Sequence, residues 1–492
     1  MPTAPVIIFG AGPSGLTAAY ELSKAGKRTI TLERDDVVGG ISQTVQYKGY
    51  RFDIGGHRFF TKVGVVEQLW KELLEEEMIE RPRLSRIFYK GSFFDYPLKP
   101  MNALTGLGIF ETVRCVLSYG WAQVAPTKPE DNFEAWVSNR FGKRLYGIFF
   151  KTYTEKVWGI PCTDIQAEWA AQRIKGLSLT TAVINALFGE RAKSKGEVIK
   201  TLIDKFLYPK LGPGQMWETC RDRVRESGSD VVMESPVEKI HWDESGVTGV
   251  TAGGERYEGE HYLSTIAIKD LAEALDPPPP PDVLAAGRRL KYRDFLTVAL
   301  VVDQKDLFPD TWIYIHESSV KLGRVQNFKN WSPYMVPDEN QTCLGLEYFV
   351  FEGDEMWNAP DEELIALGVK EIGQLGLADP TKVVDGAVAR IRKAYPIYDG
   401  DYSEAVDTVR EWLAEHLPNL QLSGRNGMHR YNNQDHSMLT AMLAVRNILG
   451  GKYDLWQVNV DKEYHEEGQE ITLDDLREME KTQPQVPRRV NE

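Results

Sequence analysis

Cysteine is scarce in this sequence. Only four cysteines occur among 492 residues, and no two of them form a CxxC pair. Their spacing indicates neither a zinc site nor a disulfide framework, so we expect reduced thiols, as in a cytosol, and no bound metal. They are Cys115, Cys162, Cys220 and Cys343.

Long apolar runs and an excess of positive charge are also missing. The longest apolar runs, such as 295–302, are much shorter than the roughly 20 residues of a membrane-spanning helix. The amino terminus enters an apolar strand pattern without the basic and apolar regions of a signal peptide, so we expect a cytoplasmic protein without a transmembrane segment. The net charge of −14 argues against non-specific nucleic-acid binding, but it leaves room for a local basic pocket that binds an anionic ligand.

The start of the chain does contain a dinucleotide-binding pattern. In VIIFGAGPSGLTAAYELSKAGKRTITLERD, a strand pattern is followed by the GxGxxG glycines Gly10, Gly12 and Gly15, a helical pattern and a second strand that ends at Glu33. The first glycine permits the turn, the second admits a pyrophosphate, and the third lets the helix pack on the strand. Glu33 is placed to bind the adenosine ribose. Ser14, in the same loop, is a further expected cofactor contact.

Two further glycine pairs favour FAD over NAD. Gly39 and Gly40 follow the second strand, and Gly55 and Gly56 follow soon after. Glycine supplies positive φ and close backbone approach in such loops. FAD proteins of the glutathione-reductase-like class place loops of this kind against the pyrophosphate and the flavin, and this pattern resembles them. Arg34 either covers the adenine or lies in solvent, and the sequence leaves both open.

The remaining patterns predict an α/β fold with about three domains. We expect a Rossmann-like FAD-binding domain of the glutathione-reductase type, an inserted helical domain and an antiparallel β-sheet substrate domain. Within the FAD-binding domain, Val237 is a candidate for backbone contact with the adenine. The predicted boundaries are 1–96, 208–275 and 420–475 for the FAD-binding domain, 97–207 for the helical domain, 276–419 for the sheet domain and 476–492 for a tail.

Three separated blocks resemble the UDP-galactopyranose mutases, flavoenzymes that interconvert the pyranose and furanose forms of a nucleotide-linked sugar. The first block is the glycine fingerprint with GGH at 55–57, and the second is YTEKVWGIPCTDIQAEWAAQRI at 153–174. The third is WIYIHESSVKLGRVQNFKNWSP at 312–333 together with GRNGMHRYNNQDHS at 424–437. The fingerprint alone fits the amine oxidases, protoporphyrinogen oxidases and carotenoid desaturases of the same superfamily equally well.

The resemblance implies a catalytic, substrate-binding role for two arginines. Arg173 and Arg324 match the arginines that bind the substrate diphosphate and stabilise it as it departs. Arginine suits this role because its guanidinium is permanently charged and binds bidentately. A surface or helix-end ion pair is the alternative for each of them.

The resemblance also implies roles for aromatic residues, a further arginine and a histidine. Trp158 matches an aromatic residue beside the sugar, and Tyr314 and Tyr431 match tyrosines near the diphosphate; ordinary core packing is the alternative for all three. Arg425 matches an arginine that contacts the flavin, with a helix-end or ion-pair role as the alternative. His57 matches a catalytic histidine of a mobile loop near the flavin N5, which would sense flavin charge through its ring or its carbonyl. A structural hydrogen-bonding role is its alternative.

The polar row RYNNQDHS, at 430–437, leads into an apolar helical run. We expect this row to pass the flavin, with Asn433 and Gln434 as contacts. Ser437 is expected to contact the cofactor and to start the helix, with Asp435 or Ser437 as its cap. The row is a couple of residues shorter than in the eukaryotic mutases between its arginine and its Asn-Gln pair.

The reaction implied by the resemblance is an isomerisation without net redox change. In the mutases the reduced flavin N5 attacks the anomeric carbon, expels the nucleoside diphosphate and forms an adduct in which the sugar ring opens and recloses. Reduced FAD would be the active cofactor, NAD(P)H a candidate electron donor and a nucleotide sugar the substrate. Two alternatives remain open: an FAD-dependent oxidoreductase of the amine oxidase, protoporphyrinogen oxidase or desaturase group, and a non-enzymatic binding protein similar to the GDP-dissociation inhibitors. The sequence indicates no oligomeric state.

Overall fold

The computed structural model describes residues 4–96, 98, 100–167, 205–400 and 402–458. Arg173 and the tail expected at 476–492 lie outside these residues. Among the helices that are described, none is both long enough and apolar enough to cross a bilayer.

The described residues form twenty strands and sixteen α-helices. The strands are β1 Val6–Phe9, β2 Thr29–Leu32, β3 Thr44–Tyr47, β4 Tyr50–Asp53, β5 Met78–Pro82, β6 Ser85–Tyr89, β7 Ser92–Asp95, β8 Lys205–Pro209, β9 Asp230–Val232, β10 Val237–Asp243, β11 Gly246–Ala252, β12 Glu255–Tyr257, β13 His261–Ser264, β14 Leu275–Asp276, β15 Tyr292–Val302, β16 Trp312–Ile315, β17 Arg324–Asn327, β18 Thr342–Val350, β19 Val383–Pro396 and β20 Leu420–Leu422. The helices are α1 Pro13–Lys24, α2 Gly64–Leu74, α3 Pro100–Leu107, α4 Ile109–Val124, α5 Phe133–Phe141, α6 Lys143–Tyr146, α7 Thr152–Trp158, α8 Gly214–Glu226, α9 Ile268–Ala274, α10 Pro281–Arg289, α11 Phe328–Trp331, α12 Glu355–Asn358, α13 Asp361–Gln374, α14 Tyr402–His416, α15 Gly424–Gly427 and α16 Gln434–Ile448.

A five-stranded parallel sheet organises the first core, in the order β20–β13–β1–β2–β9. Every residue of β1 is fully buried, as expected for a parallel strand that is covered on both faces. Numbered by their own succession in the chain, the strands run 3-2-1-4-5 from one edge to the other, which is the arrangement of dinucleotide-binding sheets. Helices α1 and α16 pack together in this core. The predicted α/β fold with a Rossmann-like domain is confirmed.

A seven-stranded sheet organises the second core, in the order β19–β15–β18–β17–β16–β6–β7. Its neighbouring strands are antiparallel except for the parallel pair β16–β6. Helix α13 packs on one face, where Leu346 and Ile372 belong to the same apolar cluster. Alternate residues of these strands, including Tyr314, Arg324 and Glu347, point to the opposite face.

The expected domain boundaries change at two places. Strands β6 and β7, expected within the FAD-binding segment 1–96, are hydrogen-bonded into the seven-stranded sheet. Helices α10 and α14, expected within the sheet domain 276–419, bury Val283, Val409 and Leu413 in the core of the parallel sheet. Hydrophobic periodicity identifies an element, but it does not reveal the core on which that element packs.

Helix α7 fastens the helical unit α3–α7 to the second sheet. The Nζ of Lys156 donates to the carbonyl oxygens of Glu317 at 2.5 Å and Leu322 at 2.9 Å. Burial lowers the pKa of Lys156 to about 8. Because Lys156 lies two residues before the end of α7, these bonds position Trp158, the last residue of the helix.

Candidate active site

The glycine turn between β1 and α1 is closely packed. Gly10 has a φ of +96°, a conformation that favours glycine. A Cβ atom on Gly15 would lie only 1.9 Å from the carbonyl oxygen of Gly10. Glycine at this position therefore lets α1, which starts at Pro13, approach the end of β1 and direct its N-terminus beyond the strand edge.

Glu33 lies just beyond β2, beside this turn. Its buried carboxylate accepts hydrogen bonds from the backbone N–H groups of Ala11 at 2.6 Å and Asp35 at 3.0 Å. Burial raises the pKa of Glu33, and the two donors oppose that shift. The carboxylate is thus held at the edge where the sequence predicts a ribose contact. Arg34 pairs with Asp35 at 3.1 Å and is 56% exposed, and its contact with the adenine stays a prediction.

Gly39 and Gly40 pack against the glycine turn. The N–H of Gly39 donates to the carbonyl oxygen of Ala11 at 2.9 Å. A Cβ atom on Gly40 would lie 3.4 Å from the Cα of Gly12. The two loops therefore face each other backbone to backbone, which is the kind of surface that a pyrophosphate can approach closely.

Strand β10 begins at Val237, near Glu33. The N–H of Ser235 donates to the carbonyl oxygen of Glu33 at 2.7 Å, and the N–H of Glu234 donates to that of Asp35 at 3.1 Å. Val237 packs against the core of the parallel sheet. The residue expected to contact the adenine therefore lies close to the acid expected to bind the ribose.

A chain of buried hydroxyl groups ties the carboxy-terminal loop to α1. The Oγ of Ser14 lies 2.7 Å from the Oγ of Ser423, which donates to Oγ1 of Thr440 at 3.0 Å. The N–H of Gly424 also donates to Oγ1 of Thr440, at 3.1 Å. Ser14 thus has a structural role in holding α1 and α16 together, and its contact with a cofactor stays a prediction.

Removing the central hydroxyl of this chain should destabilise the fold. We expect Ser423→Ala to lower the free energy of unfolding by about 1–3 kcal/mol, because the buried Ser14 hydroxyl loses this partner. Urea unfolding measures the effect. Ser245→Ala, in an exposed turn, is the control and should change the free energy of unfolding by less than about 0.5 kcal/mol. Equal effects of the two substitutions would contradict the structural role of the chain.

Helix α16 begins at Gln434, three residues before the expected start at Ser437. The N-cap is Asn433 rather than Asp435 or Ser437, and Nδ1 of His436 accepts a hydrogen bond from the N–H of Asn433 at 3.3 Å. The prediction was wrong because the reciprocal capping pattern was not recognised. Its signal is a polar cap followed three residues later by a side chain that reaches back, and here histidine replaces the usual Glu or Gln.

Gln434 presents an unpaired amide at the first turn of α16. Both polar atoms of its side chain are buried, and they have no hydrogen-bonding partner within the described parts of the chain. Leaving a buried amide unpaired costs free energy, so a polar partner from outside the chain is expected here. The helix N-terminus adds a positive electrostatic potential at the same point.

His57 follows the pair Gly55–Gly56 after β4. Its Nδ1 lies 3.2 Å from the carbonyl oxygen of Gly55, so Nδ1 carries the proton and Nε2 is an acceptor. A Cβ atom on Gly56 would lie 2.9 Å from Nε2 of Gln326, which makes glycine the fitting residue there. Burial, followed by the nearby charge of Arg425, lowers the pKa of His57 to about 3, so its ring is neutral at physiological pH.

The lowered pKa of His57 couples protonation to stability. Below the ordinary value of 6.5 the unfolded chain binds a proton that the folded protein does not bind until about pH 3. Through this window His57 should lower the free energy of unfolding by up to about 1.4 kcal/mol for each unit of falling pH. Urea unfolding at about pH 7 and about pH 5 measures it, with His57→Gln as the comparison. The variant should lose less stability on acidification, and an identical pH dependence would contradict the neutral ring.

Arg324 forms a buried ion pair on the inner face of the seven-stranded sheet. Its Nε donates to Oε2 of Glu347, which is directly opposite in the neighbouring strand and fully buried. Gln326 Nε2 donates to the other carboxylate oxygen at 2.7 Å. Burial opposes the charged form of Arg324, but the Glu347 carboxylate raises its pKa well above the usual range. Within the described residues the two terminal guanidinium nitrogens have no hydrogen-bonding partner, so they can bind an anion.

Aromatic rings surround this arginine on the side of the helical unit. Tyr314 is paired with Arg324 across β16 and β17. The ring centroid of Tyr314 lies 4.9 Å from that of Tyr96 and 5.3 Å from that of Tyr153. Burial raises the pKa of Tyr153, and the charge of Arg324 opposes that shift. Tyr153 therefore keeps its proton and can donate a hydrogen bond beside the guanidinium.

A second aromatic group joins the helical unit to the polar row. Tyr395 and Tyr431 stack at 5.6 Å, and Trp158 lies 6.3 Å and 6.2 Å from their ring centroids. Burial raises the pKa of Tyr395, and the positive charge of Arg324 opposes that shift. Trp158 is buried in a core as well, so packing and lining the site are compatible roles.

Arg425 supports this second group rather than capping a helix. Its Nε donates to the carbonyl oxygen of Asn432 at 2.8 Å, and its Nη1 donates to that of Ala394 at 3.0 Å. The guanidinium also lies over the rings of Tyr431 at 4.8 Å and Tyr395 at 5.5 Å. Arg425 therefore positions Tyr431 and the polar row, and its predicted contact with a flavin stays a prediction.

The structure brings together six residues that the sequence singles out, and it adds others. The six are His57, Trp158, Tyr314, Arg324, Arg425 and Tyr431. Glu347, Gln326 and Tyr395 were missed. Glu347 had a signal, because it is the single charged residue in the apolar strand TCLGLEYFV. Tyr395 had none that separates it from a core tyrosine.

Comparison with known protein families shows to which family the chain belongs. Residues 178–438, just over half of the chain, match the flavin-containing amine oxidoreductases. The chain belongs to this family. Residues 8–73 also match an NAD(P)-binding Rossmann-like domain, in agreement with the glycine turn. The prediction of a flavoenzyme of the amine oxidase superfamily is thereby confirmed.

Solved structures share the fold. A reduced UDP-galactopyranose mutase matches with a TM-score of 0.82 at 22% identity, covering 94% of this chain and 100% of that one. A putative protoporphyrinogen oxidase from Exiguobacterium sp. 255-15 matches with a TM-score of 0.68 at 16% identity, covering 92% of this chain and 100% of that one. At these identities the likeness concerns the fold alone.

The relatives by sequence include desaturases and amine oxidases. The 15-cis-phytoene desaturase of Synechococcus elongatus is 25% identical over 92% of this chain and 97% of its own length. The 1-hydroxycarotenoid 3,4-desaturase of Flavobacterium sp. is also 25% identical, over 53% of this chain, but the chain spans only 56% of its length. Flavin-containing amine oxidase B of Sus scrofa is 26% identical over 53% of this chain and 50% of its own.

The described residues fit the flavin dinucleotide that the family name implies. The backbones of Gly12 and Gly40 offer a surface for a pyrophosphate, and the Glu33 carboxylate can accept from ribose hydroxyls. The unpaired amide of Gln434 offers a donor and an acceptor to a ring that carries both. These residues would hold FAD. Both the chemistry of these residues and the family of the chain therefore support FAD as the cofactor.

Proposed function

We propose that this flavoenzyme is a mutase that interconverts the pyranose and furanose forms of a nucleotide-linked sugar. The observation that supports this most is the buried Arg324, whose Nε is held by Glu347 while its terminal nitrogens lack a partner among the described residues. The fold likeness to a UDP-galactopyranose mutase exceeds that to a protoporphyrinogen oxidase and adds support. Arg173 remains part of the proposal as the second diphosphate-binding arginine.

Arg324 would bind the diphosphate of the substrate. Its two terminal nitrogens form a fork that matches two phosphate oxygens, and the bond from Nε to Glu347 fixes the direction of that fork. Tyr314, opposite Arg324 in the next strand, and Tyr431 would add hydroxyl donors. Because the positive charge of Arg324 is already in place, little reorganisation is needed when negative charge develops on the departing diphosphate.

The other residues would orient the sugar. Reduced flavin, when bound, would supply the nucleophile, and the protein would supply position and electrostatics. Trp158 and Tyr395 form an aromatic wall for the apolar face of the sugar ring. The neutral His57 would accept a hydrogen bond at Nε2 from the cofactor or from a sugar hydroxyl.

A mutase and an oxidase differ in the oxidation state of the flavin that starts the reaction, and the test uses this difference. The purified protein should be yellow, and after reduction with dithionite it should convert a nucleotide sugar between ring forms without consuming the reductant further. Chromatography of a panel of nucleotide sugars measures this conversion, with the oxidised enzyme as the control. Conversion of no member of the panel by the reduced enzyme would contradict the proposal.

An oxidoreductase is the second candidate, because the relatives by sequence are desaturases and amine oxidases. The aromatic pair Tyr395–Tyr431 would then face an amine or a polyene rather than a sugar. Steady consumption of oxygen or of another acceptor by the oxidised enzyme, with an amine or a polyene as substrate, would establish this second function.

A further inference from the structure

One helix carries most of the exposed apolar side chains of the described structure. Seven of the eleven large apolar residues that are exposed there lie between Ile109 and Val124, on α4, and they are 45–85% exposed. Phe110, Leu117 and Trp121 are the largest of them, at 85%, 68% and 71%. They recur at helical spacing and form one continuous face, here called the α4 face.

The opposite side of α4 attaches the helix to the protein. Cys115 is buried there, the Oγ of Ser118 accepts a hydrogen bond from the N–H of Arg144 at 3.0 Å, and Glu111 pairs with Nη2 of Arg144 at 2.9 Å. Helix α4 therefore directs its apolar side outward although it is firmly anchored. An amphipathic helix of a protein surface usually has the reverse orientation.

The α4 face is larger than an ordinary surface patch. A fully exposed aromatic side chain offers about 150–250 Å², so seven side chains that are about half exposed or more offer many hundreds of Å². The largest apolar patch of a typical monomer is about 300–600 Å² and is often functional. Such a face needs an occupant.

The charges near the α4 face indicate which kind of surface can bind there. The stretch of sequence that contains α4, residues 81–160, has twelve Lys and Arg but only six Asp and Glu, a net charge of +6 within a chain of net charge −14. Part of this charge is bound inside the protein, since Arg86 pairs with the buried Asp310 and Lys156 is held by backbone carbonyls.

Arg114 lies on α4 itself with its side chain 67% exposed and its Nη1 3.6 Å from Glu111, and Lys143 on α6 is 81% exposed with its Nζ 3.6 Å from Glu134. Exposed ion pairs of this kind contribute little free energy, so both cations can exchange their partners for an anionic surface. A second copy docked on this face would meet the same positive charge, whereas an anionic surface would be attracted. Polar groups that could pair with a protein partner are few on the face, where Arg114 and Gln123 are the polar residues among the exposed ones of the helix.

We propose that the α4 face binds the surface of an anionic lipid bilayer, with α4 parallel to the membrane. Phe110, Leu117 and Trp121 would enter the boundary between head groups and acyl chains, while Arg114 and Lys143 would meet lipid phosphates. This proposal does not depend on which reaction the flavoenzyme catalyses.

Vesicle co-sedimentation of the full-length holoprotein tests the proposal. Vesicles of phosphatidylcholine with phosphatidylglycerol should bind the protein more tightly than vesicles of phosphatidylcholine alone. The triple variant Phe110→Asp, Leu117→Asp, Trp121→Asp should bind at least about a hundredfold more weakly, because three apolar contacts are lost. Arg114→Gln and Lys143→Gln should each weaken binding to the anionic vesicles about fivefold.

The controls keep the result interpretable. The double variant Tyr334→Asp, Val384→Asp removes exposed apolar residues elsewhere and should bind vesicles as the wild type does. The triple variant should keep its bound flavin and its melting temperature without lipid. A lower flavin content or melting temperature would show that the α4 face is covered within the protein. A wild-type dimer that the triple variant converts to monomers would show that a second copy is the occupant. Either result, or a wild type that sediments with neither vesicle, overturns the proposal.

Discussion

Arg324→Met is expected to cost about 3–5 kcal/mol of unfolding free energy, because it leaves the fully buried Glu347 carboxylate without its cation. The same substitution removes the fork that is proposed to bind the substrate diphosphate. Two different effects thus arise from one residue, and a single variant cannot separate them. A loss of activity in Arg324→Met could reflect partial unfolding alone.

The double variant Arg324→Met, Glu347→Gln separates the two effects. Removing both charges leaves no unpaired ion, and the new amide oxygen at position 347 can still accept the hydrogen bond from Gln326. Most of the lost stability should therefore return, while binding of the nucleotide sugar to the reduced enzyme should stay about tenfold or more weaker than in the wild type. Urea unfolding measures the first quantity, and equilibrium titration with the nucleotide sugar measures the second.

Arg324→Lys completes this series. Lysine keeps the positive charge near Glu347, so stability should fall less than in Arg324→Met, but its ammonium lacks the planar fork. Binding should consequently weaken with little loss of stability. If the double variant regained both stability and full binding, the role of Arg324 would be purely structural and the proposed diphosphate site would be wrong.

The sequence predicts a structural feature well when residues close together in the chain determine it, and poorly when residues far apart in the chain determine it. The glycine turn and Glu33 are specified within a few dozen residues by strand, turn and helix geometry, and the structure places them together at the edge of β1 and β2. Arg324 was found only through resemblance. Its partner Glu347 lies 23 residues away, and the two meet because of the register between β17 and β18. Register depends on the whole sheet, so local patterns do not reveal it.

The same limit explains the errors at the ends of elements. Asn433 and His436 form a reciprocal cap that replaces the expected start at Ser437, although the apolar helical run itself was recognised. Strands β6 and β7 were expected in the first core, but β6 pairs with β16, more than 200 positions later, and β7 follows it into the second sheet because it pairs with β6. The polar contacts that end a helix and the pairing of a strand with a particular sheet both depend on tertiary structure, so local sequence patterns do not predict them.

Gly15→Ala and Gly12→Ala are expected to differ, although both change the same glycine turn by one methyl group. At Gly15 the new Cβ would lie 1.9 Å from the carbonyl oxygen of Gly10, and backbone atoms can move apart only by separating α1 from β1. We expect a loss of at least about 1–3 kcal/mol of unfolding free energy together with loss of flavin. At Gly12 the φ is −77° and the nearest atom to the new Cβ, the Cα of Gly40, is 3.9 Å away, so the chain tolerates the methyl group.

Gly12→Ala should therefore leave the stability of the flavin-free protein within about 0.5 kcal/mol of the wild type while weakening flavin binding, because the methyl group occupies the surface where a pyrophosphate would approach. Absorbance of the purified proteins in the visible range gives their flavin content, and urea unfolding after removal of the flavin gives their stability. Gly120→Ala, which meets no atom within 4 Å, is the control: it should leave the flavin content unchanged and should not lower the stability, because alanine favours the interior of helix α4. Full flavin content in Gly12→Ala would place the pyrophosphate away from this turn. A stable, flavin-free Gly15→Ala would instead show that both glycines serve the cofactor alone.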